Sequence, residues 1–178
     1  TFTEFSCIYA FFFVPLSADW FSLGYNVVLS RPIGTKMTEN QLIFRSFASG
    51  SSGNCYFLGT SKWGVLIDAG ISARTIQKNL REMGLDYANI MGVLVTHDHA
   101  DHIRAVGTLG ERVHLPIYST REIHNGIDRN YGVREKLRTS QRYFEKGVEW
   151  DLNGMKINTF GISHDSTECI GYVIDYLG

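Results

Sequence analysis

Residues 96–102 read Thr-His-Asp-His-Ala-Asp-His, and they directly follow the apolar run Ile-Met-Gly-Val-Leu-Val at 90–95. Three histidines and two aspartates therefore lie within six positions, after a segment typical of a buried strand. Imidazole and carboxylate are the ligands that borderline divalent cations such as zinc and manganese prefer. In an extended loop, positions two apart point the same way, so His97 and His99 can bind one cation. The pattern predicts a metal site at the end of a strand.

Asp101 and His102 extend this pattern beyond the loop. We expect them to open a helix over residues 103–112 and to face a second cation beside the first. Asp98 points away from its histidine neighbours under strict alternation, which favours a structural role for it. The alternative is a polar loop with incidental histidines. It is weak, because the whole chain has only six histidines and three of them are here.

The sequence around this motif predicts a mixed α+β domain. Ser72 offers an N-cap for the clearest helix, and Gly84 stands where that helix would end. Asn153-Gly154, between two strand-like runs, is the strongest hairpin signal in the chain. We expect strands at 42–47, 54–58, 63–68, 90–95, 116–118, 148–152, 155–160 and 170–176, and helices within 72–84, 103–112 and 120–127.

Composition predicts a single soluble domain of the cytoplasm. The chain is 44% apolar and 20% charged, and its net charge of −1 at pH 7 exerts no overall attraction on nucleic acid or membranes. Cys7, Cys55 and Cys169 are odd in number and lack Cys-x-x-Cys spacing. This argues against a disulfide framework and for a reducing compartment. We expect Cys55 to be a small buried apolar group.

Residues 1–36 differ from the rest. The aromatic run at 5–16 is too short for a membrane-spanning helix, which needs about 20 apolar residues. Glu4 is the only charge before the run, whereas a secretory signal begins with basic residues. We expect residues 1–36 to be a non-domain extension, from upstream translation or a fusion scar, and residues 37–178 to be the domain. A truncated signal or membrane anchor is the alternative.

Three further segments accompany the histidine motif. Residues 65–70 combine an apolar strand with Asp68, residues 162–165 place His164 before another strand, and residues 49–56 read Ser-Gly-Ser-Ser-Gly-Asn-Cys-Tyr. Together with the motif they resemble the metallo-β-lactamase-fold hydrolases over roughly residues 42–178. The glycine-serine segment is similar to that of the bacterial YycJ/WalJ branch, whose members are similar to metal-dependent DNA exonucleases.

The resemblance implies an α+β fold of the αββα sandwich type and a dinuclear centre of zinc or manganese. A bound divalent cation makes hydroxide available near neutral pH by lowering the pKa of water to about 7. Asp101 is the candidate catalytic residue, because it could orient that nucleophile, and Asp68 is a supporting carboxylate. His97, His99 and His164 are implied at the first cation, with Asp101 and His102 at the second. Structural roles are expected for His114, through packing, and for His124, on an exposed-looking helix.

The resemblance also calls for two more ligands, an aspartate that bridges the metals and a final histidine. Both would follow a strand like 171–174, and Asp175 lies too early to be the first of them. We therefore expect a sandwich truncated at its C-terminal side, in which the first site forms weakly and the second is two ligands short. On this interpretation the chain itself is inactive, although its full-length parent is an enzyme.

Three functions remain open from the sequence. The first is a metal-dependent phosphodiesterase or exonuclease that acts on DNA; residues 121–146 favour it, because basic side chains alternate there with Tyr131, Tyr143 and Phe144. A solvated helical face explains the same charges. The second is a cytoplasmic hydrolase of small (thio)esters on the same metal site, and the third is a non-enzymatic metal-binding module. The loop 49–54 is either a phosphate-binding turn or an ordinary connection between strands.

Overall fold

A computed structural model of the protein describes residues 42–176. Before them it describes only the backbone of two short strands, β1 (Tyr9–Ala10) and β2 (Val27–Val28), which pair antiparallel. Apart from those four positions, residues 1–36 lie outside the described part. The expectation that they form a non-domain extension therefore stays a prediction.

A six-stranded sheet forms the centre of the domain, and its strands lie side by side in chain order. The first three pair antiparallel and the last three join in parallel. The last strand was not predicted, because its sequence Gln-Arg-Tyr is polar and has no apolar run. The strands are β3 (Ile43–Ala48), β4 (Cys55–Gly59), β5 (Gly64–Ile67), β6 (Ile90–Leu94), β7 (Ile117–Ser119) and β8 (Gln141–Tyr143).

The helices connect the parallel strands of this sheet. Successive right-handed crossovers in one direction place them on one face, where α1, α3 and α4 bury apolar side chains. Ser72 caps α1 and Thr120 caps α4 through their hydroxyls, at the boundaries that the sequence predicts. The helices are α1 (Ala73–Glu82), the 3-10 turn η1 (Tyr87–Asn89), α2 (Ala100–Ile103), α3 (Val106–Glu111) and α4 (Arg121–Arg129).

The prediction of one helix over 103–112 is wrong. The helix begins at Ala100, so Asp101 and His102 lie inside α2, and it breaks before α3. The cause is a pair of hydrogen bonds to the segment after β5. The Ala69 N–H donates to the carbonyl of His102 (2.7 Å), and the Ala105 N–H donates to the carbonyl of Ala69 (2.8 Å). The His102 carbonyl and the Ala105 N–H thus bond to Ala69 instead of within a helix, which connects the motif to the end of β5.

A second, antiparallel sheet of three strands has the order β11-β10-β9. The predicted hairpin is confirmed, and Asn153 and Gly154 at its turn have φ values of 54° and 84°. Such left-handed backbone is typical of a two-residue hairpin turn. The strands are β9 (Trp150–Leu152), β10 (Met155–Gly161) and β11 (Ile170–Tyr176).

Aromatic side chains join the two sheets. Trp150 of β9 stacks on Tyr118 of β7 and on Phe144, with ring centroids 5.1 and 5.4 Å apart. Tyr172 of β11 is fully buried and donates its hydroxyl to the carbonyl of Val95 (2.8 Å), just beyond β6. The described layers therefore run helices, six-stranded sheet, three-stranded sheet.

Two further expectations concern the described part only. No helix there is long and apolar enough to cross a membrane. Cys55 and Cys169 are free and buried, as the sequence predicts for Cys55, whereas Cys7 lies outside the described residues. Burial raises the pKa of the Cys169 thiol to about 12 and that of Cys55 further, so both are packing groups at neutral pH.

Candidate metal centre

The predicted ligands meet where the two sheets adjoin. Asp68 follows β5, and residues 95–99 follow β6, so both lie at the carboxyl edge of the parallel strands. His164 comes from the connection between β10 and β11 in the other sheet. The Ile170 N–H donates to the carbonyl of Thr96 (3.0 Å), which brings that connection onto the motif. The centre is thus built across the interface of the sheets.

Three histidines converge there. One ring nitrogen from each of His97, His99 and His164 lies within 4.8 Å of the others. His97 is fully buried, and its Nε2 has no hydrogen-bond partner among the described residues. A buried polar atom without a partner is rare in folded proteins, and a bound cation would satisfy it. The donor set and the orphaned Nε2 therefore fit a divalent cation of the zinc or manganese type.

The Asp68 carboxylate holds the histidine motif in place through hydrogen bonds. Its carboxylate accepts from the Thr96 N–H (2.8 Å), from the Thr96 hydroxyl (2.8 Å) and from Nδ1 of His102 (2.7 Å). The residue is buried, and its φ of 58° lies in the left-handed region, which aspartate adopts more readily than most residues. These contacts are what we expect of a carboxylate that supports the ligand candidates.

Hydrogen bonding to Asp68 also sets the protonation of the rings. Since the Thr96 hydroxyl gives its hydrogen to Asp68, its oxygen accepts from Nδ1 of His97 (2.9 Å), and the lone pair of His97 is left on Nε2. The contact of His164 Nδ1 with the Asp165 carboxylate (2.9 Å) has the same effect. Both rings can therefore present Nε2 to a cation.

Two of the rings have shifted pKa values. Burial, and then the neighbouring His102, lower the pKa of His97 to about 3, so His97 is neutral at physiological pH, as a ligand must be. Burial also lowers the pKa of His102, but the charges of Asp68 and Asp101 and the hydrogen bond to Asp68 together outweigh it, and the net shift is upward. Protons therefore compete with a cation at His102 more than at His97.

Asp101 and His102 form a second pair beside the three histidines. The Asp101 carboxylate lies 3.5 Å from Nε2 of His102, and the His102 ring centroid is 4.0 Å from that of His97. These two side chains alone do not make a three-ligand site. They lie where a second cation could share the centre with the first.

Asn54 is a residue of the centre that sequence reasoning missed. Its Nδ2 lies 3.1 Å from the Asp101 carboxylate and 3.0 Å from Nε2 of His102. The loop 49–54 also uses its own amides, since the Gly50 N–H donates to the Asn54 side chain (3.0 Å) and the Gly53 N–H to the Gly50 carbonyl (3.0 Å). Those two amides are engaged within the loop, which disfavours the phosphate-binding alternative.

The other polar residues of the motif region lie outside the cluster. Asp98 turns away, as alternation predicts, and binds the hydroxyl (2.5 Å) and N–H (3.3 Å) of Thr167. The expected burial of the two remaining histidines, His114 and His124, was wrong in both cases. His114 is exposed and has a φ of 65°, whereas His124 is buried on the inner face of α4 against Tyr143. Burial lowers the pKa of His124.

A groove of about 360 Å³ opens beside His99. It runs between the end of α4 and the segment that carries His164. Arg129 is its basic side chain, and the hydroxyl of Thr167 lies 3.4 Å from the Arg129 guanidinium. The groove is lined by Asp98, His99, Gly126, Arg129, Asn130, Asp165, Ser166 and Thr167.

Several basic residues of the segment 121–146 are engaged within the protein. The Arg121 guanidinium lies 4.9 Å from the centre of the Tyr143 ring, and Lys146 pairs with Glu168 (2.5 Å). Tyr131, two residues beyond Arg129, is fully exposed. Of this segment, the residues that line the groove beside His99 are those at the end of α4, Gly126, Arg129 and Asn130.

Comparison with known proteins connects this centre to a family. Residues 64–178 match the family described as "Beta-lactamase superfamily domain". The chain is 33% identical to the exodeoxyribonuclease YycJ of Bacillus anthracis over 132 residues, which cover 74% of this chain and 49% of that protein. It is 34% identical to the exodeoxyribonuclease WalJ of Streptococcus pneumoniae over 131 residues, 73% of this chain and 48% of the relative. The chain thus spans about half the length of these relatives.

Solved structures agree with the fold. A subclass B3 metallo-β-lactamase of Bradyrhizobium japonicum superposes with a TM-score of 0.58 at 18% identity, over 68% of this chain and 50% of the other. A metallo-β-lactamase of Cronobacter sakazakii gives a TM-score of 0.60 at 17% identity, over 72% and 50% of the two chains. At such identities the likeness concerns the fold alone. The α+β metallo-β-lactamase architecture expected from the sequence is confirmed.

Proposed function

The chain belongs to the β-lactamase superfamily and has the metallo-β-lactamase fold, and from this premise we propose that its histidine centre serves a metal-dependent hydrolase that cleaves phosphodiester bonds in DNA. The observation that carries the proposal is the convergence of His97, His99 and His164 around a buried Nε2 without a partner. The exodeoxyribonuclease relatives favour DNA as the substrate. Two buried free cysteines fit a reducing compartment, and we propose the cytoplasm as the place of action.

Each residue of the centre has a role in this proposal. His97, His99 and His164 would hold one divalent cation, zinc or manganese, and Asp101 and His102 would contribute to a second. When bound, the cations would lower the pKa of water so that hydroxide is available near neutral pH. They would also supply positive charge for the phosphate oxygens. Asp101 is half exposed beside the histidines, so its carboxylate can accept a hydrogen from the attacking water and orient it.

The groove beside His99 supports a phosphate substrate. The Arg129 guanidinium can donate two parallel hydrogen bonds to a phosphate, and the hydroxyl of Thr167 lies next to it. Tyr131 offers an exposed ring on which a base can stack. We propose that one DNA strand follows the end of α4, so that a phosphodiester reaches the histidine cluster.

One observation favours a second candidate, a hydrolase of small (thio)esters on the same centre. The groove also carries the carboxylates of Asp98 and Asp165, and that of Asp165 is 87% exposed. Exposed negative charge repels a polyanion and tolerates a small neutral substrate. The two candidates share the cations and the ligands and differ only in what the groove accepts.

The test is a parallel assay of the purified chain with Mn²⁺ or Zn²⁺. One reaction contains a DNA duplex labelled at one end, the other an aryl thioester. The described residues supply one three-histidine set and only two ligands of a second, so we expect little or no turnover and take any cleavage above that of His99→Ala as the criterion. Metal-dependent release of nucleotides supports the proposal. Thioester cleavage without DNA cleavage favours the second candidate, and a chain that binds no metal contradicts both.

A further inference from the structure

The Asn54 side chain contacts the same two atoms that a second cation would contact. Its Nδ2 lies 3.1 Å from the Asp101 carboxylate and 3.0 Å from Nε2 of His102. The ring donates Nδ1–H to Asp68, so Nε2 is its acceptor atom in the neutral form. That atom has one lone pair, which can accept from the Asn54 amide or bind a cation but cannot do both.

The position of this carboxamide is set by its own loop. Asn54 is 3% exposed, and its side-chain oxygen accepts from the Gly50 N–H (3.0 Å) and the Tyr56 hydroxyl (3.3 Å). One hydrogen of its Nδ2 donates to the Gly50 carbonyl (3.0 Å), and the other is shared between Asp101 and His102. Its backbone is fixed as well, because the Asn54 N–H donates to the carbonyl of Asp101 (2.7 Å) and its own carbonyl accepts from Gly70 (2.8 Å). The loop therefore delivers an amide donor to the second pair.

We propose that the Asn54 carboxamide competes with the second cation for Asp101 and His102, and thereby makes the centre load in order. The inference rests on the proposed function, because it takes the centre to be dinuclear. No contact from Asn54 opposes a cation at the three-histidine site. Nε2 of His99 lies 3.1 Å from the Asp165 carbonyl, and if it donates there the lone pair of His99 is on Nδ1 and stays available, so this site fills first. The second cation binds only when the amide gives up His102, and its affinity is lowered by the hydrogen bonds that are lost.

Two substitutions isolate the competing donor. Asn54→Ala removes the amide and leaves the ring of His102 held by Asp68. Asn54→Asp keeps the shape of the side chain and replaces the donor with an anionic oxygen, a ligand type that divalent cations prefer. Each should tighten the second binding event by about tenfold or more, since the hydrogen bonds that oppose the cation are removed. The first event should not change.

The experiment is a Co²⁺ titration of the full chain and its variants at pH 8, followed by visible absorption and calorimetry. The event that His99→Ala abolishes is assigned to the first site. Asn130→Ala is the matched control, since Asn130 donates to the backbone of the same motif at Asp98 (2.9 Å) but does not contact the second pair. Circular dichroism confirms folding, and Asn54→Asp covers the case in which Asn54→Ala does not fold.

A second event that tightens in the Asn54 variants and not in Asn130→Ala supports the inference. A second event that is unchanged or weaker in folded Asn54→Asp overturns it, as does a single event in every protein. That last outcome leaves the proposed function intact, because the three-histidine site would still bind. No binding by any protein would defeat the proposed function as well.

Discussion

At the scale of single residues, the geometry of the centre depends on side chains other than the ligand candidates. Asp68 and Thr96 form a chain of hydrogen bonds that ends on His97 and fixes its lone pair on Nε2. His97, His99, Asp101 and His102 could be predicted as ligand candidates from their type and spacing, and His164 from the family resemblance. Thr96 and Asn54 could not be assigned these roles, because the fold brings Asp68 to Thr96, and Asp101 and His102 to Asn54, from 28 or more positions away in the chain.

Thr96 provides a direct test of this chain of hydrogen bonds. Thr96→Val keeps the shape of the side chain but removes the hydroxyl between Asp68 and His97, so Nδ1 of His97 loses its acceptor. We expect cation affinity at the three-histidine site to fall by about 10- to 100-fold, the usual effect of losing such a partner. Thr96→Ser restores the hydroxyl and should recover most of the affinity. Equal affinity in Thr96→Val and the parent, measured by calorimetry, would rule out the role.

At the scale of elements, most strands and helices were predicted from apolar runs, caps and the Asn-Gly turn. The errors have physical causes. The split between α2 and α3 comes from hydrogen bonds to Ala69, which no local pattern reveals. Strand β8 pairs with β7 although its sequence is polar, because backbone hydrogen bonds need no apolar side chain.

Glu111, at the end of α3, fastens the loop that leads into β8. Its carboxylate accepts from the N–H groups of Arg138 (2.8 Å), Thr139 (3.1 Å) and Ser140 (3.3 Å), and from the Ser140 hydroxyl (2.7 Å). These bonds, that of Arg138 first, lower the pKa of Glu111 from 4.5 to about 2. The charged form is therefore favoured by folding, and its contribution to stability is present above pH 4.5 and lost as pH falls towards 2.

We expect Glu111→Gln to lower the free energy of unfolding at pH 7 by on the order of 1 kcal/mol, a small value because solvent screens this exposed carboxylate. The difference between variant and parent should shrink as the pH falls from 4.5 towards 2. Urea denaturation across that range is the measurement. Glu149→Gln, at an exposed glutamate of the approach to β9, is the control. A difference that is constant with pH would contradict the assignment.

At the scale of the whole molecule, the two sheets pack as adjacent layers, and ligand candidates from both lie at the carboxyl edge of the parallel strands. The sequence resemblance predicted this architecture. It could not predict which part of the segment 121–146 faces the centre, since that depends on how α4 ends beside the connection carrying His164. In the described structure Arg129 lines the groove, whereas Arg121 and Lys146 are engaged elsewhere.

This placement predicts how DNA binds. Arg129→Ala should weaken binding of a short duplex and reduce the slope of log affinity against log salt by about 1, as expected for the loss of one phosphate contact. Arg74→Ala, which changes an exposed arginine on α1 that does not line the groove, is the matched control. Fluorescence anisotropy at several salt concentrations measures both. Equal slopes for the two variants would place the DNA elsewhere.

The central claim is that His97, His99 and His164 bind a divalent cation together. Elemental analysis of the purified, dialysed chain tests it most directly, with His99→Ala and His114→Asn purified in the same way. We predict at least one zinc or manganese per parent chain, retained in His114→Asn, whose exposed histidine lies outside the cluster, and lost in His99→Ala. Unchanged metal content in His99→Ala, or no metal in the parent, would contradict the account.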